Sequence, residues 1–209
     1  MFDIEYKGGN AVVFSSKKTT IAVDPCLSVL GLKDPKLNDV VELLTESRFR
    51  VDDPEVRIII DGPGEYEVGD FTIRGVAVSR LIDDEKEEKA STAYRLEQGD
   101  VSIAVVGNTG PNFSEEQLES LGVVDILVIP VGGGGTLDAT NAASLIRAIE
   151  PKMVIPVHYA DAALRYEVPQ DTLETFVKEL GAPVEDVQKL KIKSAALPSV
   201  LTVYSLVRS

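Results

Sequence analysis

The chain has 209 residues, 44% hydrophobic and 26% charged, enough to bury a core without disulfides or a structural metal. Its formal net charge of −13 works against binding to nucleic acid or anionic membrane, and no run approaches the ~20 apolar residues that span a bilayer. Met1 to Tyr6 has neither a basic leader nor an apolar core segment, so a single cytoplasmic domain over residues 1–209 is expected. Cys26 is the one cysteine, which excludes an internal disulfide and a cysteine-based zinc cluster; it reads as a small core residue.

Short β-rich runs open the chain. Phe2 to Tyr6, Ala11 to Phe14, Thr19 to Val23, Val40 to Leu44 and Val56 to Ile60 are predicted strands. Phe71 to Val78 follows, then a charged run, Asp83 to Lys89, read as a solvated loop tip. Ala93 to Glu97 and Val101 to Val106 form a hairpin across Gly99-Asp100. Beyond Gly107 the pattern changes to alternating strand and helix. Ser114 to Gln117 has the form of a capping box, with Leu118 and Leu121 on the helix and Gly122 stopping it. Val123 to Ile129 is an apolar strand. Asp138 caps a helix whose Ala142, Leu145, Ile146 and Ile149 make one stripe, and Pro151 ends it. Met153 to Val157 is a buried strand, a helix runs from about Asp171 to Leu180, and Val200 to Val207 closes the order. Strands first and strand-helix alternation later predict an α/β protein with two sheets and outer helices.

Turns follow directly on buried strands at Val23-Asp24-Pro25, Gly107-Asn108-Thr109-Gly110, Pro130 to Gly135 and Pro156-Val157-His158-Tyr159, and strand ends are where sites are built. In this order, with Tyr6-Lys7-Gly8-Gly9, Gly62-Pro63-Gly64-Glu65-Tyr66 and Leu190 to Lys193, they resemble the metallo-β-lactamase superfamily. The nearest branch is that of zinc-dependent hydrolases similar to the ascorbate-lactonase type, and the resemblance covers nearly the whole chain. It implies a four-layer αβ/βα sandwich with a dinuclear metal site at one rim.

The resemblance also implies ligands that this sequence does not carry. Where the family has a His-x-His-x-Asp-His cluster, the chain reads Glu46-Ser47-Arg48-Phe49-Arg50-Val51. The family's histidine after the opening glycine corresponds to Gly9, its mid-chain histidine falls near Arg80, and its metal-bridging aspartate is Asn108. Asp24 matches an aspartate that supports a metal-bound histidine. His158, the one histidine of the chain, is retained. Arginine cannot ligate zinc and repels a divalent ion, so no zinc site is expected here.

Several readings stay open at these positions. His158 could hold one divalent metal together with Asp24, Glu46, Asp52 or Asp53; it could be a hydrogen-bonded remnant, the preferred reading; or it could titrate in a metal-free pocket. Arg48, Arg50 and Arg80 could bind a small anion with His158, or be neutralised by nearby acids in a salt-bridged plug, which is preferred. Gly132 to Gly135 lacks the Gly-Lys-Ser/Thr ending of a phosphate loop and reads as a flexible turn. Glu65 and Tyr66 have no assigned role, and no Ser-His-Asp arrangement is specified. The expected function is therefore a degenerate superfamily member with a binding or assembly role, for a small anion or a protein partner, with no catalytic residue and no cofactor. The alternative is a metal-dependent hydrolase with a mononuclear site rebuilt around His158. A homo-oligomer is expected by analogy of fold.

Overall fold

Two sheets face each other across an apolar core in the computed structural model, which describes residues 1–81, 91–193 and 196–209. The first sheet contains β1 (Phe2–Gly8), β2 (Ala11–Ser15), β3 (Thr20–Val23), β4 (Val41–Leu44), β5 (Ile58–Asp61) and β13 (Leu190–Ile192) in the order β13-β1-β2-β3-β4-β5. The second contains β6 (Gly64–Val68), β7 (Phe71–Val78), β8 (Ser91–Gln98), β9 (Val101–Val105), β10 (Ile126–Pro130), β11 (Met153–Val157), β12 (Val184–Val187) and β14 (Thr202–Leu206) in the order β12-β14-β11-β10-β9-β8-β7-β6. Antiparallel hairpins come early and parallel pairs late: β9, β10, β11, β14 and β12 all run in one direction. Parallel strands need crossovers, and the helices α1 (Glu115–Leu121), α2 (Ala139–Ile149) and α3 (Leu173–Leu180) lie in these connections.

The inner faces meet in one cluster that includes Ile4, Phe14, Ile21, Leu43, Ile103 and Ile155. A second cluster joins the larger sheet to its helices, where Ala142, Leu145 and Ile146 of α2 meet Leu127, Ile129 and Val154. On the outer face of the smaller sheet the covering layer is made by loops, not by α-helices among the described residues; Leu37, Val40, Val51 and Val56 pack there on Val13 and Ala22. The predicted α/β sandwich thus stands, with irregular chain as one outer layer.

Element limits differ from the sequence pattern for local reasons. Val56 belongs to a turn, its N–H donating to Asp53 O, so β5 begins at Ile58. Val123 is 80% exposed, and the Asp125 carboxylate accepts from Ser102 N and Oγ, so residues 123–125 connect and β10 begins at Ile126. The strands β6, β12 and β13 were not predicted, because charged residues interrupt their short apolar pattern. The charged run Asp83 to Lys89 lies outside the described residues. Ser114 forms the predicted capping box with Gln117, and Asp138 caps α2 through Asn141 N. Among the described residues no helix is long and apolar enough to cross a membrane.

The two sheets are fastened where β4 ends. Thr45 O accepts from Thr92 N at 2.9 Å and Ser91 Oγ at 3.2 Å, while Tyr94 Oη donates to Leu44 O at 2.8 Å. Gly107, at φ 59°, lies so close to this point that a Cβ would sit 2.5 Å from Thr45 Cβ. The ends of β3, β4, β9, β10 and β11 are thereby gathered at one rim.

Candidate functional site

The β3 and β4 ends are joined through Asp24. It is buried with a left-handed φ of 45°, and its carboxylate accepts from Thr45 N at 2.8 Å and Thr45 Oγ1 at 2.6 Å. Desolvation pushes its pKa up to about 8, against the lowering effect of the two Thr45 bonds. Its hydrogen-bond partner is this threonine.

Glu46, 4% exposed, is the centre of a polar cluster. Arg48 reaches it twice, Nη2 donating to Oε1 at 3.2 Å and Nε lying 3.1 Å from Oε2. Arg80 Nη1 donates to Oε2 at 3.0 Å, and Asn108 Nδ2 donates to Oε1 at 2.8 Å. Asn108 Oδ1 in turn accepts from Asn10 Nδ2 at 2.7 Å, extending the chain of polar groups to the β1–β2 turn. The Arg48 guanidinium also sits 4.7 Å over the Phe49 ring, a stacking contact suited to its planar charge.

Two predicted members fall outside this cluster. The 3-10 turn Ser47–Phe49 ends at Arg50 and sends the chain outward. Arg50 is half exposed and lies 3.6 Å from the exposed Asp52, so its expected place in an anion site is corrected to a surface pair. Val51 packs on the outer face of the smaller sheet and donates its N–H to Glu42 Oε1 at 2.5 Å. Asp52 and Asp53 follow it outward, Asp53 capping the backbone of Glu55 and Leu37. Gly9 lies behind the site: its carbonyl accepts from His158 N at 2.8 Å, and at φ 57° a Cβ there would meet Leu30 Cδ1 at 2.3 Å.

His158 is held from all sides. Its φ is 51°, a conformation that costs a non-glycine residue about 1–3 kcal/mol, and its carbonyl accepts from Gly132 N. Nδ1 lies 3.0 Å from Gln170 Oε1, and Gln170 Nε2 donates to Val168 O at 2.8 Å. That second bond orients the amide, so Nδ1 carries the proton and donates while Nε2 keeps its lone pair. Burial lowers the His158 pKa to about 4, with the Gln170 bond opposing, and the imidazole is neutral at pH 7. The Tyr166 ring packs at 4.8 Å between centroids.

Arg48, Asn108 and His158 line one cavity of about 420 Å³, within the ~300–1,000 Å³ range of small-molecule sites. Val29, Leu30 and Phe49 supply apolar wall, and Gly134, Gly135 and Thr136 bring in the glycine-rich turn. The sequence reading missed Asn10, Tyr166 and Gln170. Asn10 adjoins the opening glycines and was within reach of that motif; Tyr166 and Gln170 come from irregular chain with no periodic signal. Among the described residues no group of three or more His, Cys, Asp or Glu is placed to hold a metal ion.

The comparisons agree with this fold. Residues 3–158 match the family model described as a β-lactamase superfamily domain. A UPF0173 metal-dependent hydrolase of Carboxydothermus hydrogenoformans is 29% identical over 100 residues, which cover 46% of this chain and 44% of that protein, so less than half of that relative is spanned. Another of that name, from Methanopyrus kandleri, is 24% identical over 210 residues, covering 88% of this chain and 90% of its own length. Among solved structures, a Thermotoga maritima protein described as a candidate Zn-dependent hydrolase of the metallo-β-lactamase superfamily superposes with a TM-score of 0.78 at 21% identity, covering 99% and 100% of the two chains. The metallo hydrolase Igni18 of Ignicoccus hospitalis gives 0.64 at 16%, covering 97% and 94%. With a model match over most of its length, this chain belongs to the metallo-β-lactamase superfamily.

Proposed function

We propose that the rim cavity is a recognition site for a small organic anion, in a superfamily member that does not use a dinuclear metal centre. The observation that carries this is the state of Glu46: both of its oxygens are engaged by Arg48 and Arg80, with Asn108 on Oε1. The donor set does not fit two metal ions. Gly9, Arg80 and Asn108 stand where the resemblance expects ligands, guanidinium offers no lone pair, and releasing Glu46 to a metal would take the carboxylate from Arg48. Arg48 commits Nε and Nη2 to Glu46, yet its side chain remains 50% exposed on the cavity wall beside Asn108 and apolar surface. A guanidinium fork over an apolar floor suits a small carboxylate.

A second reading has its own support. The relatives are named metal-dependent hydrolases. His158 also has the form of a metal ligand, Nδ1–H fixed by a neighbour and Nε2 free of its proton. In that reading one divalent ion sits at His158 and the chain is a hydrolase. Metal analysis of the purified chain after incubation with zinc, manganese and iron separates the two. The anion reading expects less than about a tenth of an equivalent of each metal, together with carboxylate-induced NMR shifts at Phe49 and His158 that Arg48→Ala abolishes. Near-stoichiometric metal that is lost in His158→Ala would overturn it in favour of the mononuclear hydrolase.

A further inference from the structure

The two sheets end in four edge strands, β13 and β5 on one and β12 and β6 on the other. Three of them carry charge at interior positions of the strand: β13 has Lys191, β12 has Glu185 and Asp186, and β6 has Glu65 and Glu67, whereas the charge of β5, Asp61, is its last residue. Charges placed this way keep an open edge from pairing with another chain. β5 is different. It reads Ile58-Ile59-Ile60-Asp61, with Ile58 and Ile59 each 37% exposed, although β-branched residues in an edge position are the most favourable template for a further strand. Among the described residues no strand pairs with its outer edge.

The flanking charges identify the occupant. Arg57 precedes the strand with its side chain 46% exposed and only a 4.0 Å contact to the exposed Asp39; Asp61 ends it, exposed, with a bond from Ser47 Oγ. The segment is thus cationic at one end, anionic at the other and apolar between. Two copies paired antiparallel about Ile59 place Arg57 of each opposite Asp61 of the other, Ile58 opposite Ile60, and Ile59 opposite Ile59. Opposite charges directly across an antiparallel pair stabilise it, and a two-fold axis forms each such contact twice.

We infer that β5 is a self-complementary dimerisation edge, joining the smaller sheets of two copies of this chain about a two-fold axis at Ile59. A contact built on so short a strand buries less than the ~1,200 Å² of stable interfaces, so the dimer is weak and concentration-dependent. Sedimentation velocity of the full chain over rising concentration tests it. A monomer–dimer equilibrium is expected, weakened about tenfold by Arg57→Asp or by Asp61→Arg, each of which sets like charges opposite one another twice. The double variant Arg57→Asp/Asp61→Arg restores it, because the pairs are re-formed with signs exchanged. Ile59→Lys, with two ammonium groups at the axis, also weakens it. Circular dichroism checks that each variant is folded, and rescue by the double variant excludes misfolding as the cause. A chain that stays monomeric throughout, a dimer indifferent to Ile59→Lys, or a double variant no better than the single ones each overturns the assignment.

Discussion

The two walls of the rim cavity hold their polar groups by opposite means. On the β4 side a carboxylate, Glu46, is kept in the interior by charge, with two guanidiniums and an amide around it. On the β11 side His158 is kept by neutrality, one hydrogen bond to Gln170 and a strained backbone locked to Gly9 and Gly132. A buried charge depends on every partner, whereas a neutral ring depends on staying unprotonated. Substitution should therefore damage the first wall more, and pH should act on the second.

The largest expected effect is on the charged wall. Glu46→Ala removes the acceptor shared by Arg48, Arg80 and Asn108 and, with Arg48 half exposed, should cost about 1–3 kcal/mol in urea unfolding; a loss below about 0.5 kcal/mol would mean that the cluster is a solvated surface feature. Asp24, beside that wall, gives a pH effect. Its folded pKa of about 8 lies above the ordinary value of 3.8, so the folded state holds more protons between those limits and stability falls as pH rises from about 4 to about 8. Asp24→Asn should remove this slope, measured by thermal unfolding across that range.

The neutral wall contributes the reverse sign over a narrower window. His158 is depressed from 6.5 to about 4, so its contribution is complete above pH 6.5 and is lost as pH falls from there to about 4. Below pH 6.5 the two residues partly offset each other, and the Asp24 slope should be clearest between about 6.5 and 8. As the chain has one histidine, a ring-proton NMR titration reads its pKa directly. A value near 4 is expected, moving upward in Gln170→Glu as a carboxylate replaces the amide; no movement would show that Gln170 does not face the ring. The smallest effect belongs to the surface. Arg50→Ala removes a 3.6 Å contact with exposed Asp52 and a minor electrostatic influence on Glu42, and should change stability by less than about 0.5 kcal/mol.

Much of the fold was legible because local signals and tertiary demands coincide. The capping box at Ser114, the Asp138 cap and the α2 stripe lie where sequence places them. Long runs such as Met153 to Val157 are apolar because both faces of a central parallel strand are covered. The edge strands β12 and β6 were missed for the converse reason: they are largely solvated, and their charges erase the alternation. At the site, the family resemblance grouped Glu46, Arg48, Arg80, Asn108 and His158 together with Gly9 and Asp24, but it included Arg50 and Val51 as well. Two to three positions along a turn suffice to point a side chain from the cavity to the opposite face, and spacing alone does not fix that direction.

The sequence by itself determined the order of most strands and helices, the superfamily pattern of turns, and the side-chain chemistry at hand: one histidine, one cysteine, and arginines at Arg48, Arg50 and Arg80. Only the tertiary structure decided that Glu46 meets Arg80 and Asn108 from elements 34 and 62 residues away, that Gln170 sets the His158 tautomer, and that Arg50 turns outward. The physical reason is that residue types and local periodicity are properties of short chain segments, while burial, and with it which charges must find partners, arises when the two sheets close on one another.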